Sequence, residues 1–145
     1  MREGREIQDT KGLESYIKYM VDNEDKPLSP GPAFGFVQAL EHVNLQLLKI
    51  DENEKNLFDV VLMSSNHAQC TVRFLNSIRH HGLNIERICT TAGRPVTGYL
   101  NAYSTNLYLS ADGAKVREAI EMGIPAASLM PSTISQVCKA LNHDF

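Results

Sequence analysis

Apolar positions along the chain switch between two spacings. Leu13, Tyr16, Ile17 and Met20 recur at helical intervals and predict an amphipathic helix over residues 12–23. Asn23 to Pro32 breaks that pattern, and Pro27, Pro30, Gly31 and Pro32 make a stiff loop. Pro32 suits the first turn of a second helix carrying Phe36, Val37, Leu40, Val43 and Leu47. After a polar connection over 51–56 the period changes. Phe58 to Met63 reads as a strand, because Val60, Val61, Leu62 and Met63 form a short apolar run that suits burial on both faces. Val72, Leu75 and Ile78 mark a further helix ending near His80, His81 and Gly82. Ile85 to Cys89 reads as a strand, Thr90 to Gly98 as loop, Tyr99 to Tyr103 as one helical turn and Leu107 to Leu109 as a short strand. Gly113 to Glu121 suits a helix ended by Gly123, followed by a strand at Ala126 to Met130 and a helix from Thr133 to Leu141. This alternation predicts an α/β fold of βαβ units, with a parallel sheet in three layers.

Chemistry gathers where the first strand ends. Ser64, Ser65 and Asn66 fall at the carboxyl end of an apolar run, the edge at which open α/β sheets bind ligands. Hydroxyls followed by the free N–H groups of a helix start suit a phosphate. The same residues also suit plain capping of the next helix, and the pattern leaves both readings open.

Composition bounds the class. The 145 residues, 43% hydrophobic and 21% charged, fit a single domain over 1–145, with 1–11 and 142–145 expected to be flexible. A net charge of −3 gives no global reason to expect nucleic acid or anionic membrane as a partner. Cys70, Cys89 and Cys138 are odd in number and form no CxxC pair, so buried, reduced thiols are expected. Met1 to Lys11 is too polar for a secretory signal, and no apolar run approaches the roughly 20 residues that span a bilayer. A soluble, cytoplasmic protein is the expectation.

Three segments carry a family resemblance: PGPAFGFVQALEHVN, DVVLMSSNHAQ and the long run from LNSIRHHG to EMGIPAA. Together they resemble the amino-terminal half of the cytosolic type I 5′-nucleotidases. The resemblance implies a Rossmann-like parallel sheet of the haloacid dehalogenase type, incomplete here. It also implies magnesium-dependent hydrolysis of AMP-like nucleoside monophosphates to nucleoside and phosphate. Such hydrolases need a carboxylate nucleophile and a second acid, which an Asp-x-Asp pair supplies, and no such pair occurs in this sequence. In the family that segment lies beyond the matched region, and the family's first apolar strand stands where Met1 to Lys11 is polar. The chain therefore reads as an excerpt lacking a strand at each side, with sheet edges or an apolar face open to self-association.

By resemblance, Ser64 takes the position of the superfamily's phosphate-binding hydroxyl, with Ser65 beside it, and Asn66 and His67 match an Asn-His pair. His67 is either a contact to base or phosphate or a cap residue. Arg94, in a loop where relatives are richer in glycine, is either an anion ligand or a solvated cation. Asn101 replaces a family Lys. Aligning GIPAA puts Ala111 and Lys115 where the wider superfamily carries magnesium-binding aspartates, so Mg2+ is expected of the family while its ligands are not expected in this chain. Asp112 remains nearby and suits a helix N-cap. The adjacent His80 and His81 lack the spacing of a metal pair, and DNED over 22–25 suits a solvated helix end. Tyr99, Tyr103 and Tyr108 suit packing, or in one case base stacking. Two functions follow: a 5′-nucleotidase whose nucleophile is not in these residues, or an inactive paralogue serving as a nucleotide-binding or interaction module.

Overall fold

The computed structural model describes residues 2–51 and 57–130. Within these, four α-helices and four short strands follow in the order α1 (Arg2–Asp22), α2 (Phe34–Ile50), β1 (Val61–Ser64), α3 (Thr71–His80), β2 (Arg87–Thr90), β3 (Tyr108–Ser110), α4 (Gly113–Glu121) and β4 (Ala126–Ser128). Single 3-10 turns stand at Ala68–Cys70 and Val96–Tyr99. The predicted helix over 133–141 and Cys138 lie outside the described residues. No described helix is long and apolar enough to cross a membrane.

The chain forms two compact units. One contains the segment up to Ser29 with Val37–Arg94, the other Pro30–Phe36 with the chain from Pro95 onward. In the first, β1 and β2 pair in parallel, with Val61 opposite Arg87 and Ser64 opposite Thr90. In the second, β3 and β4 pair in parallel, with Tyr108 opposite Ala126 and Ser110 opposite Ser128. The predicted single parallel sheet is thus two sheets of two strands among the described residues. Each pair joins strands linked by one helix. Residues 91–107, which connect β2 to β3, are turns and a 3-10 segment.

The first unit's core is local to α1, α3 and the turn before α3. Tyr16, Met20, Cys70 and Phe74 are buried together, with Ile7, Ile17, Tyr19, Leu28, Leu62 and Ile88 packed around them. Helical backbone begins at Arg2, ahead of the predicted start, but Gly12 has non-helical φ 84° and ψ 173°. The amphipathic stretch therefore does begin beyond Gly12.

The buried face of α3 contains Arg73 and Ser77 as well as Phe74 and Ile78, while Val72 of the predicted stripe is exposed. The reason is the loop that precedes α2. Arg73 Nε donates to the Lys26 carbonyl, Asn76 Nδ2 to that of Glu24, and the Ser77 hydroxyl accepts from Leu28 N–H. His81 closes this row against the Leu28 carbonyl at 2.8 Å. Arg73 has no carboxylate partner in these contacts. Its guanidinium lies 5.2 Å from the Tyr19 ring centre and reaches Met20 Sδ, so hydrogen bonds and a cation–π contact compensate its burial.

In α2 the predicted apolar stripe holds in part: Val37, Leu40 and Leu47 are half-buried, with a polar residue among them. Asn44 is the buried residue of this helix, while Phe36 and Val43 are substantially exposed. Asn44 Nδ2 donates to the Phe58 carbonyl at 2.7 Å, and its Oδ1 accepts from Phe58 N–H at 2.9 Å. One side chain thus pairs both backbone groups of Phe58, as a neighbouring strand would, and this turns the polar position inward.

In the second unit α4 packs against β3, β4 and the Val96–Tyr99 turn. Val116 and Ala119 are its buried residues, and Leu100 and Thr97 are fully buried. The α4 boundaries match the sequence reading because the signals are strong: Asp112 caps Ala114 N–H at 3.0 Å, and Gly123 ends the helix at φ 79°.

Candidate functional site

Two loops meet at the carboxyl ends of β1 and β2. Ser64, the last residue of β1, accepts through its carbonyl from Thr91 N–H at 3.0 Å. The Ser65 carbonyl accepts from Gly93 N–H at 2.7 Å, and that of Asn66 from Ala92 N–H at 3.1 Å. The segments 64–66 and 91–93 are therefore laced together by backbone bonds, three residues against three. The second loop is itself a tight turn. Arg94 N–H donates to the Thr91 carbonyl, with Ala92 at φ 49° and Gly93 at φ 88°, the sign both central residues of a type I′ turn carry. The Thr91 hydroxyl donates to the Arg94 carbonyl and closes the turn.

Ser64, Ser65 and Asn66 thus lie at the strand end, and the backbone bonds bring the turn that ends at Arg94 to the same edge. Their side chains differ in availability. The Ser64 hydroxyl accepts from Asn66 N–H at 3.2 Å and keeps its own O–H to donate. Ser65 and Arg94 are exposed. Asn66 is half-buried, and its Nδ2 donates to Tyr16 Oη at 3.0 Å. This bond ties the edge to α1 and has no signal in the sequence, since the partners stand 50 positions apart. The Thr91 hydroxyl was also not singled out by sequence, although a Thr opening a turn with glycine at its third position is a recognisable pattern.

The alternative of simple capping resolves onto a different residue. His67 is the N-cap of the Ala68–Cys70 turn, its Nδ1 accepting from Gln69 N–H at 3.4 Å. In neutral His67 the proton therefore sits on Nε2. Cys70, which leads into α3, offers no side-chain cap.

Burial sets the protonation of the core behind the edge. Loss of solvent pushes the Tyr16 phenol up from its usual value of 10.0, Cys70 adds to this, and the Asn66 hydrogen bond opposes it. Burial likewise pushes the Cys70 thiol up. Tyr16 is thus a neutral hydroxyl at ordinary pH.

The remaining candidates have contacts of their own. Asp112 serves as a cap, and Lys115 Nζ lies 4.0 Å from its carboxylate. His80 and His81 stand edge to face with ring centres 5.0 Å apart. An open hollow lined by Ile7, Ser15, Lys18, Tyr19, Asp22 and Asn23 lies along α1. Magnesium takes oxygen ligands, carboxylates above all, whereas this edge offers hydroxyls, an amide and a guanidinium. No group of three His, Cys, Asp or Glu among the described residues is placed to hold a metal. The edge by itself therefore supplies no carboxylate to magnesium.

No solved structure matches the chain. The chain is 51% identical to human "Cytosolic 5'-nucleotidase 1B" over 129 residues, which is 89% of this chain and 21% of that protein. It therefore spans about a fifth of the length of this curated relative. The family model described as 5'-nucleotidase matches residues 1–143. A match over nearly the whole sequence, with half of the aligned residues identical to a named member, shows that the chain belongs to the 5′-nucleotidase family.

Proposed function

We propose that the protein acts on nucleoside 5′-monophosphates of the AMP type, and that the edge formed by Ser64, Ser65 and Arg94 receives their phosphate. The observation that carries this reading is the backbone lacing of 64–66 to 91–93 at the carboxyl ends of two parallel strands. It brings Ser64, Ser65 and Arg94 to one rim through backbone bonds, with the Ser64 hydroxyl accepting from Asn66 N–H and keeping its own proton to donate. Hydroxyl donors and a guanidinium are the groups that hold a dianionic phosphate, the guanidinium by two N–H groups at once. His67 Nε2 adds a donor beside the same loop.

Hydrolysis to nucleoside and phosphate, with magnesium, is the reaction we propose for the protein. The edge contributes binding and orientation to it. Ser64, Ser65, Asn66 and Arg94 include no carboxylate to attack phosphorus or to protonate the leaving alcohol, so the covalent step belongs to other groups. We take the setting to be cytosolic, following the name of the human relative.

Calorimetric titration of the protein with AMP and with adenosine tests the site. AMP is expected to bind more tightly than adenosine, with Ser64→Ala and Arg94→Gln each weakening AMP by about 10- to 150-fold, the range of one charge-assisted hydrogen bond. Equal binding of AMP and adenosine would show that no phosphate site is present. A magnesium-dependent phosphate-release assay on the same preparation tests the reaction.

A further inference from the structure

The composition of α2 suits burial, yet much of the helix faces solvent. From Val37 onward it belongs to the first unit, and Glu41 and Lys49 are its charged residues. Its buried residue is nevertheless Asn44, while Val43 is 41% exposed and Ile50 83%. Polar groups fix the helix in place: Asn44 pairs both backbone groups of Phe58, and Glu41 Oε1 accepts from Asn84 N–H at 2.6 Å. No described strand or helix packs extensively against it. Leu40, Val43, Leu47 and Ile50 follow one another at spacings of 3, 4 and 3 residues, which keeps all four on one stripe along the helix. Leu40 and Leu47 are half-buried, and Val43 and Ile50 carry the stripe into solvent.

We propose that this stripe is a dimer contact, in which α2 packs antiparallel against α2 of a second copy of the chain. An apolar face alone names no occupant, but the spacing of this one does. The sequence of intervals 3, 4, 3 reads the same in both directions. A two-fold pair therefore sets Leu40 against Ile50 of the other copy and Val43 against Leu47, in four layers that are apolar throughout. Glu41 and Lys49 fall outside the stripe by helical spacing, so the contact buries no charge. Charge also selects the orientation. A parallel pair would set Lys49 level with Lys49 and align the two helix dipoles. The antiparallel pair separates the two lysines by eight residues, about 12 Å along the axis, beyond the screening length at physiological salt. Size sets the strength. A helix of 17 residues is about 25 Å long, so a lengthwise contact buries on the order of 1,000 Å² in total, the small end of specific interfaces. The dimer is accordingly weak and forms as concentration rises.

Sedimentation equilibrium and cross-linking of the full chain test this contact. The mean mass is expected to rise from that of one chain toward that of two between about 1 and 500 µM, the range open to a small interface. Val43→Glu alters a solvent-exposed position, so it is expected to keep its helical circular dichroism. It is also expected to remain at one chain throughout, because pairing would bury an unpaired carboxylate from each copy. Oxidative cross-linking reads the orientation, with the parent protein as the control for its native thiols. Copies carrying Leu40→Cys, mixed with copies carrying Ile50→Cys, are expected to form a mixed disulfide identified by mass spectrometry. Ile50→Cys alone is expected to form none with itself, since its two positions lie ten residues apart in the pair, about 15 Å along the axis and too far for a disulfide. A parent protein that stays at one chain at about 500 µM would overturn the proposal and leave the face to a different polypeptide. Association that persists unchanged in Val43→Glu and Ile50→Glu would overturn it by assigning the contact to another surface, and Ile50→Cys linked to itself would overturn the antiparallel arrangement.

Discussion

Removal of the Asn44 side chain is the most direct test of how the first unit is held. Asn44 is 7% exposed and makes two hydrogen bonds, at 2.7 and 2.9 Å, to the carbonyl and N–H of Phe58. In Asn44→Ala both bonds are lost. Each net bond contributes about 0.5–1.5 kcal/mol, so the pair is worth roughly 1–3 kcal/mol. Phe58 is 37% exposed, which lets water reach part of its backbone and places the expected loss near the middle, about 2 kcal/mol. For a chain of this length that corresponds to a fall in Tm of roughly 6–10 °C. Urea unfolding followed by circular dichroism measures it, with the denaturant slope unchanged if the same surface is exposed in both proteins. Asn44→Asp is the informative control. Its carboxylate still accepts from Phe58 N–H but faces the carbonyl with no donor, so at neutral pH its loss should equal or exceed that of Asn44→Ala. A loss below about 0.5 kcal/mol in Asn44→Ala would refute the argument, because it would mean that water replaces the amide without cost.

Two further outcomes follow from the edge and from the core. Gly93→Ala should lower stability by about 1–2 kcal/mol and weaken AMP binding, since φ of 88° is unfavourable to an alanine even though the space around its Cβ is open; unchanged unfolding and binding would show that the turn tolerates another conformation. Stability should also fall on the alkaline side, with a definite sign. The folded-state pKa values of Cys70, Tyr16 and Tyr108 are all raised, chiefly by burial, from ordinary values of 9.0, 10.0 and 10.0. The unfolded chain therefore loses these protons first, so their contribution is intact below about pH 9 and is lost as pH climbs through the raised values. Unfolding midpoints measured from pH 7 to 11 should show this decline, and Cys70→Ala should reduce its slope; a flat profile would contradict the burial of these groups.

Some of this architecture was legible in the residues. The limits of α4 follow from an amphipathic run between an Asp cap and a glycine at positive φ, both local signals. The end of β1 was read correctly as an edge because an apolar run gives way to hydroxyls. The cap, however, belongs to His67 and not to Ser64–Asn66. A capping reading needs only a nearby acceptor, and the turn geometry decides which one reaches the N–H. The stripe expected on α2 was incomplete for a comparable reason: Val37, Leu40 and Leu47 do turn inward, but periodicity counts apolar side chains and misses Asn44, which pairs the backbone of Phe58.

Alone, the sequence determined the family, the alternation of helices and parallel strands, and the cluster of hydroxyls at a strand end, because each is written in residues close together or in motifs kept in order. Tertiary structure alone decided that strands pair within each βαβ unit, that Arg94 shares an edge with Ser64, and that Tyr16 reaches that edge from the core. These depend on contacts between residues 18 to 50 positions apart. Their formation is set by which buried polar groups must find partners, a condition that no local spacing records.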